Sequence, residues 1–420
     1  MKFFESFFSR IRRRQSAPDQ PWLTPVVRDR WSGMLARSWT PDRVELVLRS
    51  ALSGDHAAQW ELFDLMEDTW PRLTKCLLEI KRAVRAMDWK VQPWAEDGAP
   101  PTEEARRRAK LVSAALWQMS PRADQIENGF LDTVFDLLDA WGKGTVVLEV
   151  EWQEGELWTP RATHWVHPKF YAWHPEGWLG LREENEIRRL PEHKFILGLA
   201  RAKTGHPLGT ALLRPLAWWW CAANFCGEWW LNYAQLFGVP IRHATYPGGT
   251  QAETITKIQT MLANMGSAAW GLFPEGTSLQ IVEASFRKGN NPQEALLNHA
   301  DRLCDMLVLG QTLTTDVGES GSRALGDVHA DVRQDVICAA ADWAADTLTR
   351  QLVGSFVELN WGDRELSPEL IAKARRNEDA KANAERDRIL IEAGIRMPRK
   401  WFYQRHGIPL PKSGEDTIRT

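Results

Sequence analysis

Residues 206–240 read HPLGTALLRPLAWWWCAANFCGEWWLNYAQLFGVP and decide how the second half of the chain folds. Pro207 and Gly209 are turn residues, and the run after them predicts one long helix that ends before Gly238 and Pro240. Aromatic side chains surround much of this helix, so no single narrow apolar stripe buries them all. The helix therefore needs neighbours on several sides.

Three settings are open to such a helix: a membrane, the core of a large monomer, or an interface between subunits. The uncharged run from Pro215 to Gly227 is shorter than the ~20 apolar residues that a bilayer requires. Arg214 and Glu228 bracket this run, so we expect no membrane span. A core helix and an interface helix remain as alternatives. The candidates for subunit packing are Trp218, Trp219, Trp220, Trp229, Trp230 and, on a later helix, Trp343.

Composition restricts the class of protein without identifying it. At 420 residues the chain exceeds the ~250 to 300 at which a single core divides, so two or more lobes are expected. The 52 basic and 55 acidic residues give a net charge of -3, which gives no global sign of nucleic-acid binding. Five cysteines without a CxxC pair predict reduced thiols in a cytosolic setting. The N-terminus is apolar and then basic without a cleavage site, so no export is expected.

Hydrophobic periodicity predicts an α+β fold that is predominantly helical. Residues 1–38 form an N-terminal arm whose opening has the pattern of a short amphipathic helix. Helices are expected over 41–87 with breaks at Gly54 and Pro71, over 102–119 and over 124–141, and strands over 88–94, 146–152, 157–165, 170–173 and 194–199. Further on we expect a helix at 252–265, strands at 269–273 and 278–282, helices at 292–309, 322–357 and 364–393, and a basic tail at 394–420.

Three patches of sequence combine into a family signature. The first has Gly54, Asp55, Gln59, Leu62, Phe63, Met66 and Glu67, followed by Lys81, Arg82, Ala83, Val84 and Trp89. The second has Gly209, Leu212, Leu213, Arg214, Pro215, Trp219, Phe225 and the ending FGVP. The third runs LGQTLTT from Leu309 and GSRALGDVH from Gly321. In this order, over residues 22–410, they resemble the portal proteins of Mu-like tailed phages; the many tryptophans and the Trp70-Pro71 pair are not part of that pattern.

The resemblance implies a phage portal fold with wing, stem, clip and crown regions. It places the wing at 39–205, a stem helix at 206–245, the clip at 246–288, a second stem helix and tunnel-loop region at 289–321, and tunnel-side and crown helices at 322–393. By the same resemblance the tunnel-loop region includes Gln311, Thr312, Thr314, Thr315, Gly321, Ser322 and Arg323.

The function implied is that of a ring at one capsid vertex, dodecameric when assembled. Its expected partners are other copies of itself, the large terminase subunit, capsid and scaffold proteins, head-completion or neck proteins, and double-stranded DNA that passes without sequence specificity. Terminase would supply ATP hydrolysis, so the chain itself would not be an enzyme. Its expected location is the virion, and the host cytoplasm during assembly.

The second half of the chain is locally acidic although the whole is nearly neutral. Between residues 291 and 363 there are 12 Asp or Glu against 4 Arg. On the helix that begins near Ser322, five carboxylates fall within about 100° of arc at 3.6 residues per turn: Asp327, Asp331, Asp335, Asp342 and Asp346. The adjacent arc is expected to be the packed face, with Leu325, Val328, Val332, Val336, Ala339 and Trp343. The acidic face is either a solvated helix surface or, in a ring, the lining of the channel.

Catalytic patterns are incomplete, so we expect no catalytic, cofactor or metal site. Residues 142–145 read GKGT, but the preceding glycine of a phosphate loop is absent, which favours a helix-to-strand turn. Ser320 and Ser322 lack the strand that a nucleophile elbow requires. His164, His167 and His174 are expected to be structural or surface residues. Two rival functions stay open: a monomeric nucleic-acid-binding structural protein of a prophage, and an enzyme that binds zinc through these histidines.

Overall fold

The structure is a computed structural model that describes residues 39–54, 56–183, 186–237, 242–264, 270–275, 292–311, 323–373, 380–405, 408 and 410. The chain divides into two units, one up to Ala372 and one from Lys373 onward. The N-terminal arm, the strand expected at 278–282, both serines of the supposed elbow and residues 411–420 of the basic tail lie outside the described residues. None of the described helices is long and apolar enough to cross a bilayer.

Three helices begin the first unit: α1 (Pro41–Ala51), α2 (Ala57–Thr69) and α3 (Pro71–Arg85). The hydroxyl of Thr40 accepts a hydrogen bond from the N–H of Arg43 at 3.3 Å, which caps α1 as its position before a proline predicts. Gly54 has φ +106°, and a Cβ there would lie 3.0 Å from a backbone oxygen, so the break after α1 requires glycine. The predicted breaks in this helical layer are confirmed.

A mixed lobe follows. Its helices are α4 (Glu103–Trp117), α5 (Phe130–Leu137) and α6 (Asp139–Lys143), and its strands are β1 (Asp88–Gln92), β2 (Thr145–Gln153), β3 (Thr159–Trp165), β4 (Tyr171–Trp173), β5 (Leu179–Arg182), β6 (Ile187–Arg189) and β7 (Phe195–Leu199). Strand β2 pairs antiparallel with β3 and β7, and β5 pairs antiparallel with β4 and β6. The side chains of β2 are almost all buried, so this strand forms the centre of the lobe.

The prediction of one helix over 124–141 is wrong. The helix begins only at Phe130, and it divides into α5 and α6. The carboxylate of Glu127 accepts the backbone N–H of Arg122 at 2.6 Å, and Asn128 forms a β-bridge with Thr163. These local bonds offer the backbone an alternative to a helix. Strands β5 and β6 are short and were not expected.

The long aromatic helix, the helix after it and the strand predicted at 269–273 are all present. The helices are α7 (Pro207–Thr210), α8 (Arg214–Phe237) and α9 (Ala252–Asn264), and the strands are β8 (Arg242–Tyr246) and β9 (Trp270–Pro274). Helix α8 continues across Gly227 without a break. Strand β8, which the sequence did not predict, pairs in parallel with β9, and α9 provides the crossover that a parallel pair requires.

The remaining elements are α10 (Pro292–Leu309), α11 (Arg323–Leu348), a π turn (Thr349–Val353), α12 (Gly354–Trp361), β10 (Glu369–Lys373), α13 (Ala380–Glu392) and α14 (Arg399–Arg405). Helix α10 packs against α3 and α8. The helix expected over 364–393 is wrong in its first part, where β10 pairs with β1. The N–H of Leu370 donates to the hydroxyl of Thr349 at 2.9 Å and its side chain is buried, which anchors the strand.

Candidate functional site

Helix α11 carries the acidic face that the sequence predicts. Asp331, Asp335, Asp342 and Asp346 are all exposed, whereas the buried side of the helix is made of small and aliphatic residues. Those buried residues include Ile337, Ala340, Ala341, Ala344, Ala345 and Leu348. The side chain of Asp327 lies outside the description, so its exposure stays a prediction.

The packed face of α11 differs from the expected one. Val332 is 38% exposed and Ala339 is exposed, while Val336 and Trp343 are half-buried. The side chains of Leu325 and Val328 lie outside the described residues. The helix is turned so that the alanine-rich side faces the lobe, because small side chains let α11 approach α3 and β7 closely.

Most of the acidic face has no cation beside it. Arg350 forms an ion pair with Asp346 one turn away, and Arg333 pairs with Glu79 on α3. Within the described parts of the chain, Asp331, Asp335 and Asp342 have no ion-pair partner. The surface charge of α11 therefore comes from three unpaired carboxylates on one side of the helix.

Side-chain amides hold the helix against the backbone of the lobe. The amide of Gln351 accepts the N–H of Leu197 at 2.7 Å and donates to the carbonyl of the same residue at 2.8 Å. Asn360 makes the same pair of bonds with Trp158, at 2.8 and 2.9 Å. Strand β7 is an edge strand of its sheet. Gln351 therefore forms the hydrogen bonds that a further strand would otherwise make with the backbone of β7.

Two more contacts extend this attachment along the helix. The indole N–H of Trp343 donates to the carbonyl of Leu199 at 3.3 Å, and the imidazole of His193 lies 3.1 Å from the hydroxyl of Ser355. The π turn that contains Gln351 lies between them. The acidic helix is thus fixed to the lobe over about 18 Å, at 1.5 Å per residue from position 343 to 355.

Helix α10 joins α3 of the first helical layer through a buried charge. Both oxygens of Asp305 on α10 accept from Arg72 on α3, at 2.8 and 2.5 Å, and the thiol of Cys76 donates to the same carboxylate at 3.2 Å. A hydrogen bond with the Cys304 thiol, burial and the Asp305 carboxylate raise the pKa of Cys76, so this thiol stays protonated. All five cysteines are free in the structure, and Cys76, Cys221, Cys226 and Cys304 are buried.

The structure separates the six tryptophans that were expected between subunits. For Trp220 the prediction of a subunit contact is wrong. Its side chain is 2% exposed, and its N–H donates to the hydroxyl of Thr69 at 3.0 Å, so it packs inside its own chain. Trp343 contacts Trp141, and Trp219 contacts the ring of His299, again within the chain. Trp218 and Trp229 are exposed and Trp230 is half-buried, so for these three the hypothesis stays a prediction.

Family-signature residues from distant parts of the chain meet in buried polar networks. The guanidinium of Arg214 at the start of α8 donates to the amide oxygen of Gln59, and also to the carbonyl of Leu48 at 3.0 Å. Lys81 pairs with Glu67 at 3.3 Å. These residues therefore act as scaffold, since each satisfies a buried or half-buried polar group.

The GKGT stretch belongs to the same scaffold and confirms the predicted helix-to-strand turn. Gly144 has φ +88°, and a Cβ there would lie 2.9 Å from that of Ala211, so only glycine fits between α6 and β2. The ammonium of buried Lys143 pairs with Asp64 at 3.0 Å and with Glu67 at 2.8 Å. Carboxylates already neutralise this lysine, so the turn is not suited to phosphate.

Two aspartates near this lysine titrate in opposite directions. Burial raises the pKa of Asp139, but the ammonium groups of Lys143 and Lys81 outweigh it and lower the pKa to about 2. Burial raises the pKa of Asp136 to about 6, although Asn128 donates a hydrogen bond to it at 2.6 Å. The first is stable as an anion, and the second gains a proton under mildly acidic conditions.

The three histidines have separate structural partners. His164 is buried and lies 3.1 Å from Glu151, while the Nδ1 atoms of His167 and His174 each accept a nearby backbone N–H. Ligand atoms of Glu127, Glu151 and His164 lie within 4.8 Å of one another, but Arg161 donates to both carboxylates. Its hydrogen bonds lower the pKa of Glu127 to about 2. A guanidinium thus occupies the place where a cation would bind.

Of the tunnel-loop residues named from the sequence, the structure describes two. Gln311 is buried just after α10, and Arg323 is the first residue of α11, where its side chain lies outside the description. Thr312, Thr314, Thr315, Gly321 and Ser322 lie outside the described residues. The role of this segment therefore stays a prediction.

Comparison with known proteins gives a consistent result. Residues 60–408 match the family described as the portal protein of Mu bacteriophage. Mu-like prophage FluMu protein gp29 of Haemophilus influenzae is 27% identical over 394 residues, which cover 91% of this chain and 73% of that protein. The portal protein of Escherichia phage Mu is 28% identical over 385 residues, which cover 90% of this chain and 72% of that protein.

Solved structures show a similar fold. A chain in the virion of a native gene transfer agent particle has a TM-score of 0.51 and 12% identity, with 88% of this chain and 95% of that chain covered. A chain in the neck of an empty gene transfer agent particle, computed with C6 symmetry, has a TM-score of 0.50 and 14% identity over the same shares. At these identities the likeness concerns the fold alone.

Proposed function

The chain belongs to the family of Mu bacteriophage portal proteins, and on that premise we propose that twelve copies close into a ring at one vertex of the capsid. The central channel of this ring passes double-stranded DNA during packaging and ejection. The wing, stem, clip and crown regions occupy the ranges that the sequence analysis assigns to them.

The observation that supports a channel is the acidic face of α11. Asp331, Asp335 and Asp342 are exposed with no cation beside them among the described residues, on a helix that Gln351 and Asn360 fix to the lobe. In a ring each carboxylate repeats around the axis, so the lumen would carry negative rings. These rings would repel the DNA phosphates, and the duplex would slide instead of adhering to the wall.

The ring also has to receive other proteins at different stages. The clip, which contains α9 and β9, would contact the large terminase subunit during packaging and the head-completion or neck proteins afterwards. Capsid and scaffold proteins would surround the ring during assembly in the host cytoplasm. ATP hydrolysis would belong to terminase, so we propose no catalytic role for this chain.

The ring is tested by negative-stain imaging and native mass measurement of the purified chain over a range of concentrations. Closed rings with a central channel, and a mass of twelve chains, are expected. A chain that stays monomeric even with its scaffold and capsid proteins would contradict the proposal and favour the monomeric nucleic-acid-binding protein. Salt-sensitive DNA affinity of that monomer would then support the alternative.

A further inference from the structure

One side of α8 presents an aromatic stripe that no described residue covers fully. Trp218, Ala222, Phe225 and Trp229 recur at helical spacing, so they share one side of the helix over about 16 Å. Trp218 is 53% and Trp229 61% exposed, and the rings of Phe225 and Trp229 are 6.2 Å apart. An apolar surface of this kind marks a contact site.

The other sides of α8 already have neighbours. Trp219 contacts His299 on α10, and the thiol of Cys226 donates to the carbonyl of Gln293 at 3.4 Å. Trp220 points into the first helical layer, where it meets Thr69. From Arg214 to Trp230 the stripe is therefore the side of α8 that the described residues leave exposed; further along, Leu231 on another side is 68% exposed.

The N-terminal arm joins the described structure next to this stripe. The ring of Trp39 lies edge-on to Trp220 at 6.0 Å, and the carbonyl of Trp39 accepts from the thiol of Cys221 at 3.2 Å. Cys221 is less than one helical turn from Trp218. The arm, residues 1–38, thus ends beside one end of the stripe.

The composition of the arm fits the surface in both polarity and charge. Residues 22–38 include a set of large apolar side chains: Trp22, Leu23, Val26, Val27, Trp31, Met34 and Leu35. Residues 22–38 have three basic residues and one acidic residue, whereas α8 carries Glu228 and α10 carries exposed Glu294. At ~3.3 Å per residue, residues 22–38 span up to ~55 Å, which exceeds the length of the stripe.

We propose that residues 22–38 cover the aromatic stripe of α8 in the same chain, in place of the subunit contact that the sequence predicts for Trp218 and Trp229. The apolar side chains of this segment pack on Trp218, Phe225 and Trp229, and its arginines lie near Glu228 and Glu294. The arm thereby removes an aromatic surface from solvent before the subunit meets any partner, and it becomes part of the outer surface of the stem.

Site-specific photocrosslinking tests this placement on the full chain, whatever its oligomeric state. A benzophenone amino acid replaces Trp229 in one variant and Trp218 in a second, and crosslinked peptides are identified by mass spectrometry. The matched control replaces Trp117, which is 51% exposed on α4. Mixing equal amounts of isotope-labelled and unlabelled chains before irradiation distinguishes crosslinks within a chain from crosslinks between chains.

The expected result is a crosslink from both α8 positions to residues 22–38 of the same chain, and its absence from the control. Deleting residues 1–38 should abolish that crosslink and raise the binding of an apolar dye, and the added Trp218→Ser and Trp229→Ser changes should reverse the rise. Crosslinks to α helices of a second copy, or to the arm of a second copy, would overturn the proposal and make the stripe a subunit interface. Failure of ring formation would leave this test unaffected.

Discussion

Carboxylate side chains have opposite environments in the lobe and on the acidic helix α11. Around Lys143, the carboxylates of Asp64, Glu67 and Asp139 are drawn inward and each has an ammonium group beside it. On α11, Asp335 and Asp342 remain at the surface, and no residue in the described part of the chain places a cation beside them. Sequence composition does not distinguish the two sets, because both are aspartates and glutamates on helices.

The difference in environment determines what each set does. Breaking a buried ion pair costs about 3 to 5 kcal/mol, because the remaining charge is left in a medium of low polarity. An exposed charge contributes roughly 0 to 1 kcal/mol to stability. The buried network therefore specifies the shape of the lobe, and the exposed face is free to act on something outside the subunit.

The largest effect on stability is expected when the cation is removed from the buried network around Lys143. Lys143→Met should lower the free energy of unfolding by about 3 kcal/mol, since the carboxylates around it lose their partner. Lys75→Met, which removes an exposed i,i+4 pair with Glu79, is the control and should change it by less than about 1 kcal/mol. Urea denaturation measures both, and equal effects would mean that the buried network does not determine stability.

The charge link between α3 and α10 should show a smaller loss of stability. Asp305→Asn keeps the shape of the side chain but removes the charge that Arg72 and Cys76 contact, so a loss of about 2 kcal/mol is expected. The matched surface change is Asp342→Asn. Denaturation curves that coincide for these two variants would be inconsistent with a buried charge link between α3 and α10.

Acid titration separates the two buried aspartates near Lys143. Asp139 has a folded-state pKa of about 2, below its unfolded value, so its stabilising contribution is present above about pH 4 and is lost as pH falls towards 2. Asp136 has a folded-state pKa of about 6, above its unfolded value. The folded chain therefore binds the extra proton, and stability should fall as pH rises from about 4 to 6.

Asp136→Asn should flatten the stability profile between about pH 4 and 6 and leave the fall below about pH 4 in place. Denaturation midpoints measured at a series of pH values show this directly. Asp68→Asn, which changes an exposed carboxylate on α2, should keep the profile of the parent chain. A D136N profile with an unchanged slope in this window would refute the assignment.

The smallest effect on stability is expected on the acidic face. The triple change Asp331→Asn, Asp335→Asn and Asp342→Asn should alter the free energy of unfolding by less than about 1 kcal/mol, because the groups are exposed. It should increase the affinity for duplex DNA at low salt, since phosphate repulsion is reduced. The equal-charge control neutralises Asp42, Glu45 and Glu103, exposed acids on α1 and α4. If both triple variants bind DNA alike, the location of the acids on α11 is not what matters.

Sequence periodicity predicted the long elements well, because length and capping are local properties. Thr40 with Pro41 predicts the start of α1, and Gly238 with Pro240 predicts an end for α8, which extends to Phe237. The acidic arc of α11 could also be predicted from the sequence, because five aspartates at helical spacing share one face of any helix. Short strands such as β5 and β6 were missed because a run of three or four residues has little periodicity.

The sequence could not predict which side chains contact each other in the folded chain. Trp220 and Trp218 look alike in the sequence, yet one meets Thr69 inside the chain and the other is exposed. The rotation of α11 was predicted wrongly because alanines count as weakly apolar, whereas close packing favours them. Gln351 and Asn360 gave one overlooked signal: amides on the mostly buried side of a helix indicate a buried hydrogen-bond partner.

The most direct test of the account is a cryo-EM structure of the assembled ring. The account predicts that Asp331, Asp335 and Asp342 face the central channel in every subunit, with Gln351 still bonded to the edge of β7. A ring in which these carboxylates lie buried between subunits or point to the outer surface would contradict it.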